Sequence, residues 1–141
     1  MSFWNPSDIK ETALPPCHYA VQFFVEEENN QKYLSCKFNM RSTDCFLGLP
    51  FNLFSYTVLT YILAAKCGMK PRKLIYSGGD VHIYNNHISQ VKQQLTAKCF
   101  SSPVLTLADT IKHKPFKDIS IDDFEIVGYY PNNVIKAPMA V

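Results

Sequence analysis

A cysteine works as a nucleophile only as its thiolate, which a nearby cation or a helix terminus must stabilise. Of Cys17, Cys36, Cys45, Cys67 and Cys99, only Cys17 has promising neighbours: the stiff Pro15-Pro16 pair precedes it and His18 follows. His18 is the nearest base, but adjacent strand residues point to opposite faces, so it is poorly placed to take the Cys17 proton directly. The competing reading makes Cys17 one more small buried residue, and composition alone favours it. His82 and Tyr84, two apart in Asp80-Val81-His82-Ile83-Tyr84, would project from one strand face and could hold one hydroxyl; satisfied core polar residues fit as well. Asn52 suits either an amide reading a planar base edge or a first-turn cap. No metal is expected, because His82, His87 and His113 lack zinc-ligand spacing. Gly78-Gly79 lacks the spacing of a phosphate loop and reads as a strand kink.

These residues need elements to position them. Tyr19, Val21, Phe23 and Val25 alternate with Ala20, Gln22, Phe24 and Glu26, and Leu34, Cys36, Phe38 and Met40 alternate with Ser35, Lys37, Asn39 and Arg41. A two-residue turn at Asn29-Asn30 then pairs Val25 with Leu34, Phe23 with Cys36, Val21 with Phe38 and Tyr19 with Met40, all apolar together. The same register sets His18 opposite Arg41 and Cys17 near Ser42, with Arg41 within about one residue pair of the thiol.

Pro50 to Lys66 reads as a long helix, apolar on nearly every face and so deeply buried, with Gly68 as its C-terminal cap. Asn52, Ser55, Tyr56, Thr57, Thr60 and Tyr61 argue against a membrane span there. Lys73 to Tyr84 reads as one or two strands, His87 to Lys98 as an amphipathic helix, and Val104 to Leu107 and Phe124 to Tyr130 as strands. The order is strand-strand-helix-strand-helix-strand-strand, an α+β fold in one domain over residues 1–141. The 14 Lys and Arg against 12 Asp and Glu leave a charge of +2, which points to no nucleic-acid partner. An odd cysteine count with no C-x-x-C pair and no basic-then-apolar leader implies a reduced, cytoplasmic setting.

Together the segments resemble thymidylate synthase. The resemblance rests on Trp4-Asn5-Pro6, Leu14-Pro15-Pro16-Cys17-His18, Gln22-Phe23, Leu34-Ser35-Cys36, Arg41-Ser42-Thr43-Asp44 and Leu47-Gly48-Leu49-Pro50-Phe51-Asn52. It continues through Gly79-Asp80-Val81-His82-Ile83-Tyr84-Asn85-Asn86-His87, Asp123-Phe124-Glu125-Ile126, Gly128-Tyr129 and Ile135-Lys136-Ala137-Pro138-Met139-Ala140-Val141. It implies reductive methylation of dUMP to dTMP with 5,10-methylenetetrahydrofolate as co-substrate. Cys17 would add to uracil C6, with Arg41 supporting the thiolate. The resemblance assigns dUMP binding to Arg41, Ser42, Asp44, Asn52, His82 and Tyr84, with Arg41 and Ser42 on the phosphate, Asn52 on the N3 and O4 edge, and His82 and Tyr84 on the 3′-hydroxyl. It assigns the folate side to Asp44, Leu47, Gly48, Phe51, Ala140 and Val141, the last two in a tail that closes over the folate.

Met40 stands where the family usually has a glutamine, removing one polar contact beside the phosphate arginine. Family members are also about twice as long, and this chain begins just before the nucleophile. The resemblance therefore implies either a homodimer or a complementing chain that carries the N-terminal half. The alternative is a shortened, non-catalytic homologue that binds nucleotide or pairs with a full-length synthase.

Overall fold

The computed structural model describes residues 1–139 of the chain. Asn29 and Asn30 adopt φ of 51° and 60°, the left-handed pair that a type I′ hairpin turn demands and that Asn tolerates better than most residues. This turn joins β1 (His18–Glu28) to β2 (Gln31–Asp44). Val25 pairs with Leu34, Phe23 with Cys36 and Val21 with Phe38, as the alternation predicts. The fourth pair differs, because a bulge between His18 and Ala20 sets Met40 opposite His18 instead of Tyr19. The Arg41 amide then donates to the Cys17 carbonyl at 2.8 Å, so Arg41 rather than Ser42 faces Cys17. The bulge sits where the N-terminal segment covers the outer edge of β1. There the Phe3 amide donates to the Tyr19 carbonyl and the Val21 amide to Met1, each at 3.0 Å, and the Tyr19 ring meets Trp4 at 5.8 Å.

On its other side β2 pairs in parallel with β3 (Lys70–His82), giving the sheet order β1-β2-β3. Parallel neighbours require a crossover, and α1 (Leu49–Lys66) provides it. The helix opens with Pro50 in its first turn. It ends in a Schellman motif, with Gly68 at φ 67° and the Met69 amide donating to the Ala64 carbonyl at 2.8 Å. Tyr56 stacks on Phe38 of β2 with centroids 4.2 Å apart, and Val21, Cys36 and Met40 complete this buried cluster.

Two expectations are corrected here. Helix α1 is not deeply buried throughout: Tyr56, Thr60, Ile62 and Ala64 are covered, but Phe51 is 72% exposed and Phe54 49%. The later strands stand off from that face and leave a cleft of about 380 Å³ lined by Pro50, Phe51, Phe54, Pro103, Ile126 and Tyr129. Nor do Gly78 and Gly79 kink the strand, since β3 runs unbroken through them. A Cβ on Gly79 would lie 2.7 Å from the Arg41 carbonyl oxygen, and one on Gly78 would collide with the Tyr76 hydroxyl, which donates to Thr43 Oγ1 at 2.7 Å. The glycines are there for close approach.

Helix α2 (Ile88–Leu95) is shorter than the amphipathic pattern, and β4 (Val104–Leu107) and β5 (Phe124–Val127) form a separate antiparallel pair. The seven elements follow the expected order, in a mixed α and β chain. Lys114 Nζ lies 2.7 Å from Asp123 Oδ2, and Lys66 Nζ donates to the Lys114 carbonyl at 2.6 Å, tying this region to the end of α1. The Lys114 hydrogen bond, helped by the Ser120 amide, holds the Asp123 carboxyl below its ordinary value. No helix among the described residues is long and apolar enough to cross a membrane.

Gly79→Ala tests the close approach: it is expected to lower stability by about 1–3 kcal/mol in urea denaturation. An unchanged midpoint would contradict the close approach.

Candidate functional site

Topology gathers the chemistry at one end of the sheet. Strand β2 and its parallel neighbour β3 both finish there, α1 starts there, and antiparallel β1 begins there. Cys17 therefore lies next to Arg41, while Asp44 at the end of β2 is the register partner of His82 at the end of β3. Ligand crevices commonly lie beyond the carboxyl ends of parallel strands, where loops leave backbone groups unpaired.

The Pro15-Pro16 approach to Cys17 is gripped from two sides. Arg41 donates to the Pro15 carbonyl from Nε at 3.0 Å and from Nη2 at 2.5 Å, and Trp4 Nε1 donates to the Pro16 carbonyl at 3.0 Å. Two of the five guanidinium N–H groups thus bind the chain just before the thiol, and the others remain for an anion. Cys17 is half-buried and in no disulfide. No signal local to Arg41 pointed to the Pro15 contact, because its partner is 26 residues away.

Asn52 lies in the first turn of α1 without capping it; its amide Nδ2 is 3.3 Å from His18 Nε2. An amide nitrogen only donates, so His18 Nε2 accepts. One N–H and the carbonyl oxygen of Asn52 are left for another partner. Burial lowers the His18 pKa below 6.5, in keeping with an accepting imidazole whose ring lies 5.5 Å from Tyr56. His18, Asn52, Tyr56, Phe3, Pro16 and Leu59 line a concavity of about 590 Å³; Cys17 is not among its walls.

Gly48 sits between two of these groups. Its amide donates to the Asp44 carbonyl at 3.2 Å, and a Cβ there would lie 3.1 Å from that oxygen and 3.7 Å from Asn52 Oδ1. Asp44 Oδ1 accepts from the Phe46 amide at 2.9 Å, fixing the carboxylate over the strand-to-helix turn. Leu47 and Phe51 wall a second cavity of about 680 Å³ together with Phe46, Pro50, Tyr129 and Ile135. Ser42 lies opposite Asp80 in the sheet register.

Strand β3 stops at His82, so Tyr84 lies just beyond the strand and not on it. The rings still meet edge to face at 4.9 Å, and the Cys45 amide donates to the His82 carbonyl at 2.9 Å, joining the two strand ends. His82 Nδ1 is 3.5 Å from Asp80 Oδ1. Ala140 and Val141 lie outside the described residues. Among the described residues, no group of three or more His, Cys, Asp or Glu side chains could hold a metal.

The profile of the family described as thymidylate synthase matches residues 1–141. A protein named thymidylate synthase from Coxiella burnetii (strain Dugway 5J108-111) is 44% identical over 143 residues, covering 100% of this chain and 51% of that protein. A probable thymidylate synthase of Escherichia phage T5 is 44% identical over 142 residues, covering 99% of this chain and 50% of that protein. The chain belongs to the thymidylate synthase family. It spans about half the length of the curated relatives it matches.

A pH dependence follows from His18. The unfolded chain takes up a proton near 6.5 while the folded chain resists it, so this contribution to stability is complete above 6.5 and is lost as pH falls through the lowered folded value. Urea midpoints measured at pH 8 and pH 5 should fall less for His18→Gln than for wild type. Equal drops would contradict the half-buried, accepting imidazole.

Proposed function

We propose that this chain carries the nucleophile-bearing part of a thymidylate synthase, converting dUMP to dTMP with 5,10-methylenetetrahydrofolate. One observation supports it most: the first residue pair of β1, the ends of β2 and β3 and the first turn of α1 converge, with Arg41 beside Cys17 and Asp44 opposite His82.

In this reading the Cys17 thiolate adds to C6 of the uracil ring, and the electron pair displaced toward C5 and O4 makes C5 the nucleophile toward the one-carbon unit. Arg41 and Ser42 hold the phosphate. Its guanidinium, already fastened to the Pro15 carbonyl, links phosphate binding to the position of the thiol two residues later. Asn52 presents its remaining N–H and its carbonyl oxygen to O4 and N3–H, a match to uracil that cytosine lacks, and His18 holds the amide in that orientation. His82 and Tyr84 take the 3′-hydroxyl. Asp44 borders the nucleotide and bonds the pterin, and Leu47, Gly48 and Phe51 face the folate. Ala140 and Val141 close over it.

The exposed Phe54 of α1 supports a partner for this chain: a second copy, or a complementing chain corresponding to the rest of the relatives' length. A binding-only homologue that pairs with a full-length synthase is the second reading, favoured by the chain matching only 51% of its relative.

Incubation with 5-fluoro-dUMP and methylenetetrahydrofolate, read by intact mass, tests the first reading. A covalent adduct on wild type and none on Cys17→Ala is expected. Arg41→Gln should slow adduct formation by about tenfold to a hundredfold, the worth of a charge-assisted hydrogen bond. No adduct, alone or with a full-length synthase or an N-terminal-half chain added, would sink the catalytic reading.

A further inference from the structure

His87 is the most completely buried histidine of the chain, with 0% of its surface exposed, and the function proposed above leaves it without a role. It closes the short 3-10 turn Asn85–His87 between β3 and α2. Its ring is clamped between Phe46 and Tyr84, with both centroids 5.6 Å away, and its backbone amide donates to the Tyr84 carbonyl at 2.9 Å. From that fixed position Nε2 lies 2.7 Å from the carbonyl oxygen of Pro138, 51 residues further along the chain. A carbonyl only accepts, so Nε2 carries the proton and donates. Nδ1 is buried with no hydrogen-bond partner, so the contact to Pro138 is the one polar bond that the ring makes among the described residues.

We propose that His87 is a positioning residue that anchors the C-terminal segment at Pro138 against the strand-to-helix turn that bears Asp44 and Phe46. The inference rests on the proposed function only for what that segment would cover. A segment outside any helix or strand, as residues 129–139 are, is ordinarily free to fray unless something ties it down. Here the tie is a short hydrogen bond from a ring that two aromatic neighbours hold in place. The same ring packs on Tyr84, so the group assigned to the nucleotide sugar and the root of the tail share one support. A second, weaker contact follows the same line, with Gln90 Nε2 donating to the Lys136 carbonyl at 3.5 Å. Loss of the Nε2 donor would free the segment at Pro138 and leave its carbonyl without the His87 partner, without altering the sheet that carries Arg41.

Backbone hydrogen exchange tests this on the full chain, with peptides covering residues 132–141 compared against peptides from β1 and β2. In His87→Leu, tail exchange should rise about tenfold, the effect of losing one hydrogen bond from a buried donor, while the sheet peptides stay as in wild type. His87→Gln keeps a donor and should recover most of the protection. Equal tail exchange in wild type and His87→Leu would overturn the proposal, as would failure of His87→Gln to differ from His87→Leu. Should His87→Leu not fold, wild-type NMR decides: a slowly exchanging His87 Nε2 proton with contacts to Pro138 and Met139 supports the anchor, and its absence refutes it. None of these readings needs turnover, so a chain that fails to bind nucleotide or folate would refute the proposed function while leaving the anchor measurable.

Discussion

The parallel pairing of β2 with β3 is the constraint on which the remaining structure depends. Parallel neighbours cannot be joined by a tight turn, so the chain must return along a crossover, and α1 is that return. The consequence is geometric: the exit of β2, the entry of α1 and the exit of β3 fall at one end of the sheet. The Asn29-Asn30 hairpin brings the start of β1 to the same end, and with it Cys17. Side chains far apart in sequence thus become neighbours through main-chain hydrogen bonding, before any side-chain contact is considered. Close packing between the strands enforces the arrangement, as the space over Gly79 shows: the Arg41 carbonyl oxygen would sit 2.7 Å from any added Cβ.

The local signals read well from sequence where one interaction dominates. Two consecutive asparagines allow the left-handed turn, and period-two alternation then selects three of the four expected hairpin pairs. Gly68 caps α1 because only a residue without a Cβ rests easily at φ 67°. The failures have physical causes that no local window contains. The bulge at Tyr19 goes with residues 1–3 pairing on the outer edge of β1, a contact between segments that alternation does not encode. The glycine pair in β3 was open to a kink because the carbonyl it must pass belongs to another strand.

The candidate site was partly legible in the same sense. Residue types marked Cys17, Asn52, His82 and Tyr84, the hairpin register placed Arg41 near the thiol, and the family resemblance added Ser42, Asp44, Leu47, Gly48 and Phe51. What stayed hidden were the supports: the Pro15 carbonyl that receives Arg41, the His18 ring that orients Asn52, and the Pro138 carbonyl that receives His87. Each support is long-range or depends on which nitrogen donates, and neither property shows in a spacing pattern. The open face of α1 is a related case. Apolar composition on all sides predicts a covered helix, but Phe51 and Phe54 are exposed among the described residues, because periodicity does not say which side of a helix its own chain packs against.

The most direct test of the convergence is an amide NMR titration of the chain with dUMP alone. Shifts confined to Cys17, Arg41, Ser42, Asn52, His82 and Tyr84 and their immediate neighbours are predicted, with the Asn29-Asn30 end of the sheet silent. Shifts at the hairpin-turn end, or none at saturating nucleotide, would contradict a nucleotide site built at the exit of the parallel pair.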